Sequence, residues 1–374
     1  MAQKSPPVAK KIPYTHTAHG VDRPDPWHWL SDRDNREVRE YLEEENQYYS
    51  QQTDFQKDLK DCLYKEMRGR IKEEDLTIPV FLHGYYYYQR EVSGGEYSAY
   101  CRKLKKDSPE QVYLDVNAEA EGFEFFDVAD VGVTPGGQVL AWTKDVEGRR
   151  FYELCFRNLS TGADLPETIH NMSGNFAWAM DQNTLFYVSQ DPVTLRENQV
   201  WRYSVSDGQK ELVFEEVDET FSLSVYRSKS NKFVMISSSS TVSTEYRYLD
   251  SYKPYESAVL FNERRRHHEY FVYDGLDGFY VLSNAGAKNF KILKTDFDKT
   301  AEQHWSVWLS HREDTLLSDL EVFRDYVVVE EVRGGLTHLN IIEIKSGKSK
   351  LIDFGEALWS VSTGYNVSFE SYKL

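Results

Sequence analysis

The sequence predicts an all-β fold: a β-propeller of the seven-bladed type, six blades and an incomplete seventh, preceded by a short α-helical segment. Three observations predict it. Residues 138–159 read as a hairpin, Gln138-Val-Leu-Ala-Trp142, a polar turn through Asp145-Val-Glu-Gly148, and a second run in which Tyr152, Leu154 and Phe156 alternate with Glu153 and Arg157. That alternation is the period of a half-buried strand. The unit then recurs: Leu185-Phe-Tyr-Val188, Phe233-Val-Met-Ile236, Phe279-Tyr-Val-Leu282 and Tyr326-Val-Val-Val329 repeat its first strand, with a partner strand after each. The spacing is roughly 45–48 residues, the length of a four-stranded blade. Ahead of about residue 75 the apolar spacing is helical instead.

Taken in order, residues 1–20 are rich in Pro and Lys and read as an extended arm. Asp25-Pro-Trp-His-Trp-Leu30 is an aromatic cluster ahead of Asp32 and Asp34, both good helix caps. Val38, Tyr41, Leu42, Tyr48 and Tyr49 mark one face of a first helix over 36–49. Phe55, Leu59, Cys62, Leu63 and Met67 mark a second over about 54–68, with Gly69 as its stop. Both faces need a covering surface, because propeller blades cover one another. The division predicted is 1–75 for arm and helices and 76–374 for a propeller truncated in its last blade. Blade one begins near Pro79. The next five span about 123–165, 175–215, 220–262, 268–307 and 316–354, and a seventh starts at Leu358-Trp359.

Composition narrows the function. With 40% hydrophobic and 14% aromatic residues the chain is globular, and the aromatic excess suits stacked sheets. A net charge of −17 argues against nucleic acid, whose phosphates need a basic face, and would draw cationic ligands such as short basic peptides. Cys62, Cys101 and Cys155 are odd in number and lie in apolar runs, so they read as small hydrophobes in a reducing compartment. No apolar run approaches a membrane span and no signal core opens the chain, so the expectation is a soluble, cytoplasmic protein without membrane partners.

No metal or cofactor site is expected. His267-His268-Glu269 carries ligand-type side chains, but neighbours in a strand face opposite ways, so the two imidazoles would not converge. Ser237-Ser-Ser-Ser240 reads as a polar strand end or turn. The acid pairs Asp145 with Glu147 and Glu215 with Glu216 could serve acid–base work, but among 61 acidic residues they read as solvated loops. Arg149-Arg150 occupies the turn between two strands of blade two, where propeller loops project toward a partner.

Asp25-Pro-Trp-His-Trp-Leu-Ser-Asp32 and Val38-Arg-Glu-Tyr-Leu-Glu-Glu-Glu-Asn46 resemble the N-terminal signature of the prolyl oligopeptidase family of serine peptidases. Gly148-Arg-Arg-Phe-Tyr-Glu-Leu-Cys-Phe-Arg-Asn-Leu159, Phe176-Ala-Trp178, Arg264-Arg-Arg-His-His-Glu-Tyr270 and Phe323-Arg-Asp-Tyr326 are similar to its oligopeptidase B branch. The resemblance covers essentially all 374 residues. It implies a seven-bladed propeller joined to an α/β-hydrolase peptidase domain, the N-terminal helices packed on that domain, and cleavage of short peptides after Arg or Lys. It also implies that an Arg of the 149–150 loop faces the peptidase domain, which makes Arg149 and Arg150 candidate interdomain contacts. The family's nucleophile needs a Gly-x-Ser-x-Gly elbow with a downstream Asp and His, and no such motif occurs in these residues. No catalytic residue is therefore assigned, and the chain is expected to be inactive alone. The alternative is a non-catalytic propeller that binds peptides or a partner protein.

Overall fold

The structure, a computed structural model, describes residues 5–374; the first four residues of the expected arm lie outside the described residues. Contacts divide the chain into Met1–Glu73 and Glu74–Leu374.

The smaller unit opens with a hairpin where an extended arm is expected, β1 (Thr15–Ala18) paired antiparallel with β2 (Val21–Pro24). Its two-residue turn, His19-Gly20, has φ of 53° and 73°, the left-handed pair that matches the twist of a two-residue hairpin. A 3-10 helix over His28–Ser31 follows. Helix α1 (Arg36–Thr53) is capped by Asn35, not by Asp32 or Asp34: the Asn35 side chain accepts the Glu37 N–H at 3.0 Å. A 3-10 turn over Asp54–Gln56 leads into α2 (Lys57–Gly69), which includes Gly69 as its last residue. Val38 is the one buried residue of α1, and α2 has none. Leu42, Tyr49, Leu59, Leu63 and Met67 are all exposed.

In the larger unit, antiparallel sheets follow one another as propeller blades. Four have four strands in sequence order, over residues 80–115, 222–262, 270–309 and 315–351. The second and third blades form one seven-stranded sheet, because the 15-residue strand Asp164–Trp178 is the outer strand of blade two and the inner strand of blade three. Its register shifts between Ile169 and Met172 against one neighbour and between Met172 and Phe176 against the other. At that bend Asn171 and Gly174 have positive φ, and a Cβ on Gly174 would lie 2.7 Å from the Ala129 Cβ. Glycine is required there by both conformation and space.

Apolar layers between blades form the core. Leu114, Leu140 and Trp142 lie between blades one and two, and Phe156, Trp178 and Tyr203 between two and three. Phe186, Val225 and Ile236 fill the next gap, then Tyr246, Phe261, Tyr270 and Phe279. Tyr280, Val327 and Val329 close the fifth layer. The alternation of Val327, Val328 and Val329 decides the sixth blade's two faces. Val328 points the other way, with Phe323 and Leu339, and packs against Ile352 and Val361.

That far face is where the seventh blade was expected to start. Residues 352–374 contain no strand. They cross blade six from its third strand to its first: Trp359 Nε1 donates to Thr337 O (2.6 Å), Thr363 N to Glu330 (2.7 Å), and Asn366 Nδ2 to Glu321 (2.9 Å).

Candidate functional site: the propeller axis and its rim

The first strand of each blade lines the axis. Around it lies a cavity of about 950 Å³ that touches the inner strands of blades one to four, joined through Leu82, Tyr226, Arg227, Tyr365 and Val367 to a second of about 400 Å³ beside blades five and six. The inner strands are tied to one another by side chains. Asn175 clamps Val225 of the next blade, accepting its N–H at 2.7 Å and donating to its carbonyl at 3.1 Å, and Trp178 Nε1 donates to Gly132 O at 3.1 Å. A Cβ on Gly132 would approach Phe176 to 2.8 Å, so the close blade contact needs glycine.

Polar and charged groups are spread along the axis. Arg227 donates to Trp178 O at 3.2 Å and lies 3.3 Å from His83 Nε2. Burial, and then the Arg227 guanidinium, hold the His83 imidazole below its ordinary value. Burial pushes the Asp130 carboxyl up to about 6, against the backbone N–H donors of Val131 and Phe176. Lys229 pairs with Glu321 and stands 3.7 Å over the Phe323 ring. The site is thus a polar-spotted tunnel of small-ligand size, with no nucleophile assembled in it among the described residues.

The antiparallel order puts the turns between second and third strands at the same end as the blade-to-blade connections. The Arg149-Arg150 turn lies at this end. Its frame is Asp145, a buried carboxylate that accepts the N–H groups of Glu147 (2.8 Å), Gly148 (3.0 Å) and Arg150 (2.6 Å). Arg150 has φ of 61°, and its carbonyl accepts from Gln190 Nε2 of blade three at 2.6 Å. Both guanidinium groups are exposed, and Arg149 stands 5.2 Å from the Phe151 ring. Among the described residues neither forms an ion pair, and neither lines the cavities.

The reading of Asp145 as a solvated loop acid is corrected, because three backbone donors and burial fix it as the turn's anchor. Glu216 is also buried, not solvated. It pairs with Arg264 at 2.5 Å and accepts from Ser238, while Arg264 reaches Glu245 at 3.0 Å and Glu245 pairs with Arg247 at 2.6 Å. Burial pushes both carboxyls up, but the hydrogen bonds from Arg264, Ser238 and the Asp218 N–H at Glu216, and from Arg264 and Arg247 at Glu245, together outweigh it and hold each below the usual range. Ser237, Ser238 and Ser239 belong to the strand Phe233–Ser239.

His267 and His268 lie not in a strand but in the turn ahead of the strand Tyr270–Asp274, with His267 at φ of 64°. His268 is buried, its Nε2 2.9 Å from Ser283 Oγ and its Nδ1 without a partner, and burial pushes it down to about 4. This serine–histidine pair lacks an orienting carboxylate and is closed to substrate. A cluster missed in the sequence is His16, Asp25 and His28, brought together by the β1–β2 hairpin.

The fold is that of a β-propeller with a cavity on its axis. The family description "Prolyl oligopeptidase, N-terminal beta-propeller domain" matches residues 6–374, and the chain belongs to that family. It is 36% identical to dipeptidyl aminopeptidase BI of Pseudoxanthomonas mexicana, over 98% of this chain and 53% of the relative. It is 31% identical to Protease 2 of Moraxella lacunata, over 98% and 54%. Among solved structures, oligopeptidase B from Leishmania major superposes with a TM-score of 0.89 at 28% identity, covering 95% of this chain and 54% of that one. The closed, antipain-bound oligopeptidase B from Trypanosoma brucei gives 0.88 at 25%, with the same coverage. The chain spans about half the length of the curated relatives it matches.

Proposed function

We propose that these residues are the N-terminal segment (1–75) and propeller (76–374) of a serine-type endopeptidase that hydrolyses short peptides after Arg or Lys. An α/β-hydrolase peptidase domain, in the same chain or a separate one, supplies the nucleophile, and the propeller limits substrate by size. The observation that carries this is the axial cavity of about 950 Å³, which accommodates a few residues of extended peptide and excludes a folded domain. The net charge of −17 favours cationic peptides at long range. The exposed apolar faces of α1 and α2 suit a covering peptidase domain, and the unpaired Arg149 and Arg150 suit carboxylates on it. We further propose a cytoplasmic location; no helix among the described residues is long and apolar enough to cross a membrane.

A second reading, a non-catalytic propeller that binds peptides, is favoured by the absence of a Gly-x-Ser-x-Gly elbow in these residues. An arginine amide substrate separates the two. The purified 374 residues should not turn it over alone, and should do so when a hydrolase domain from a relative is supplied. Turnover by the propeller portion alone refutes the first reading, and absence of turnover in the reconstituted pair favours the second.

A further inference from the structure

We propose that His16, Asp25 and His28 form a binding site for a first-row divalent transition-metal ion such as zinc. The three offer one donor atom each, all within 4.8 Å of one another. His16 Nε2 lies 3.3 Å, and His28 Nδ1 4.0 Å, from the same Asp25 oxygen, Oδ2. A tetrahedral zinc with bonds of about 2.0–2.1 Å needs donors about 3.3 Å apart. His16 and Asp25 already stand at that separation, and His28 Nδ1, 4.0 Å from the same oxygen, would have to move closer within the plane of its ring.

The surroundings hold the donors in place. Asp25 Oδ1 accepts the Trp27 N–H at 3.2 Å, which leaves Oδ2 to face the imidazoles. The Asp25 N–H donates to Tyr14 O at 2.8 Å and the His28 N–H to Asp25 O at 3.2 Å, so the backbone around both donors is bonded. The Tyr14 ring stacks on His28 at 3.7 Å and meets His16 edge-on at 4.8 Å, fixing both imidazole planes. Such packing and bonding of the atoms behind the ligands orient a metal site. The three side chains are each about one-third exposed, which leaves room for water at the remaining position.

Two imidazoles, their ring centroids 4.8 Å apart, and one carboxylate form a nitrogen–oxygen donor set of the kind that holds a divalent transition metal. Imidazole donors select zinc, copper, nickel or iron over calcium and magnesium. The bound ion would clip β1, the residue that follows β2 and the 3-10 helix together.

The test is titration of the purified chain, free of any polyhistidine tag, with Co(II), read by visible absorption and equilibrium dialysis and followed by displacement with Zn(II). One equivalent should bind and give ligand-field bands that zinc abolishes. His16→Ala and His28→Ala should each weaken binding tenfold or more, while His19→Asn, at the neighbouring hairpin turn, should leave it unchanged. Absence of a stoichiometric site in the unaltered chain overturns the proposal whatever the variants do. So does binding undiminished in both alanine variants.

Discussion

Arg264→Met tests whether the rim of blade four is held by a buried ion network. Arg264 stands between two carboxylates that are each nearly inaccessible, Glu216 at 2.5 Å and Glu245 at 3.0 Å. Glu245 keeps Arg247 at 2.6 Å after the change, so only Glu216 loses its cation and is left with Ser238 and the Asp218 N–H. Leaving a buried charge unpaired costs about 3–5 kcal/mol. Glu216 can escape by protonating, and from an ordinary carboxyl value near 4.5 that costs about 3 kcal/mol at pH 7, at 1.36 per unit. The stacking of the guanidinium on Phe221, 4.0 Å away, adds about 0.5–1 kcal/mol. The expected loss is therefore about 3–4 kcal/mol in denaturant unfolding at pH 7. Because the Glu216 carboxyl is held below its ordinary value, its contribution is present above that value and lost as pH falls through the folded one. The variant's deficit should shrink accordingly below pH 4.5. Glu216→Gln in the Arg264→Met background should recover most of the loss. A cost under about 1 kcal/mol, or strict additivity of the two changes, would show that the network is ornamental to stability.

The Asp130 carboxyl, raised to about 6, adds stability as pH falls from 6 toward 4, while the His268 imidazole, lowered to about 4, removes it as pH falls from 6.5. The two oppose, so Asp130→Asn should steepen acid destabilisation and His268→Gln should lessen it, each read by thermal melting between pH 7 and 4; parallel profiles would refute the assignment. Gly174→Ala, with φ of 91° and a 2.7 Å approach to Ala129, should cost about 1–3 kcal/mol in urea unfolding, and an unchanged midpoint would show that the bend relaxes freely.

The blades were legible because each second and third strand writes its alternation into consecutive residues. Phe233-Val-Met-Ile236 and the run around Tyr246 could be paired by spacing alone, and they do pair. Elements whose form depends on distant partners were not legible. Residues 166–174 look like a connection because Glu167, His170 and Asn171 interrupt the apolar pattern, yet they continue one strand between two blades. The Leu358-Trp359 pattern looks like a strand, but its bonding partners are side chains and carbonyls across blade six, including Thr337 and Glu330. At the first helix, Asp32, Asp34 and Asn35 all qualify as caps by type, and Asn35 caps because it alone directly precedes the helical residues.

The site residues divide along the same line, by how far away the partner lies. Arg149 and Arg150 could be placed in a turn from local sequence, and that turn's backbone is built by Asp145 only five residues away or fewer. Glu216 could not be told from a solvated acid, since its partner Arg264 is 48 residues on and meets it only when blades three, four and five are stacked. His16, Asp25 and His28 are close in sequence but separated by a hairpin, and their meeting depends on the register that sets His16 opposite Arg23. A shift of one residue would flip the strand's side chains to the other face and send the His16 imidazole away from Asp25. The His19-Gly20 turn is what fixes that register, so lengthening it by one residue should abolish metal binding while leaving the propeller's unfolding transition in place. Retained one-to-one Co(II) binding in such a variant would show that the two histidines reach the carboxylate without the hairpin, and the local geometry argued for them would be wrong.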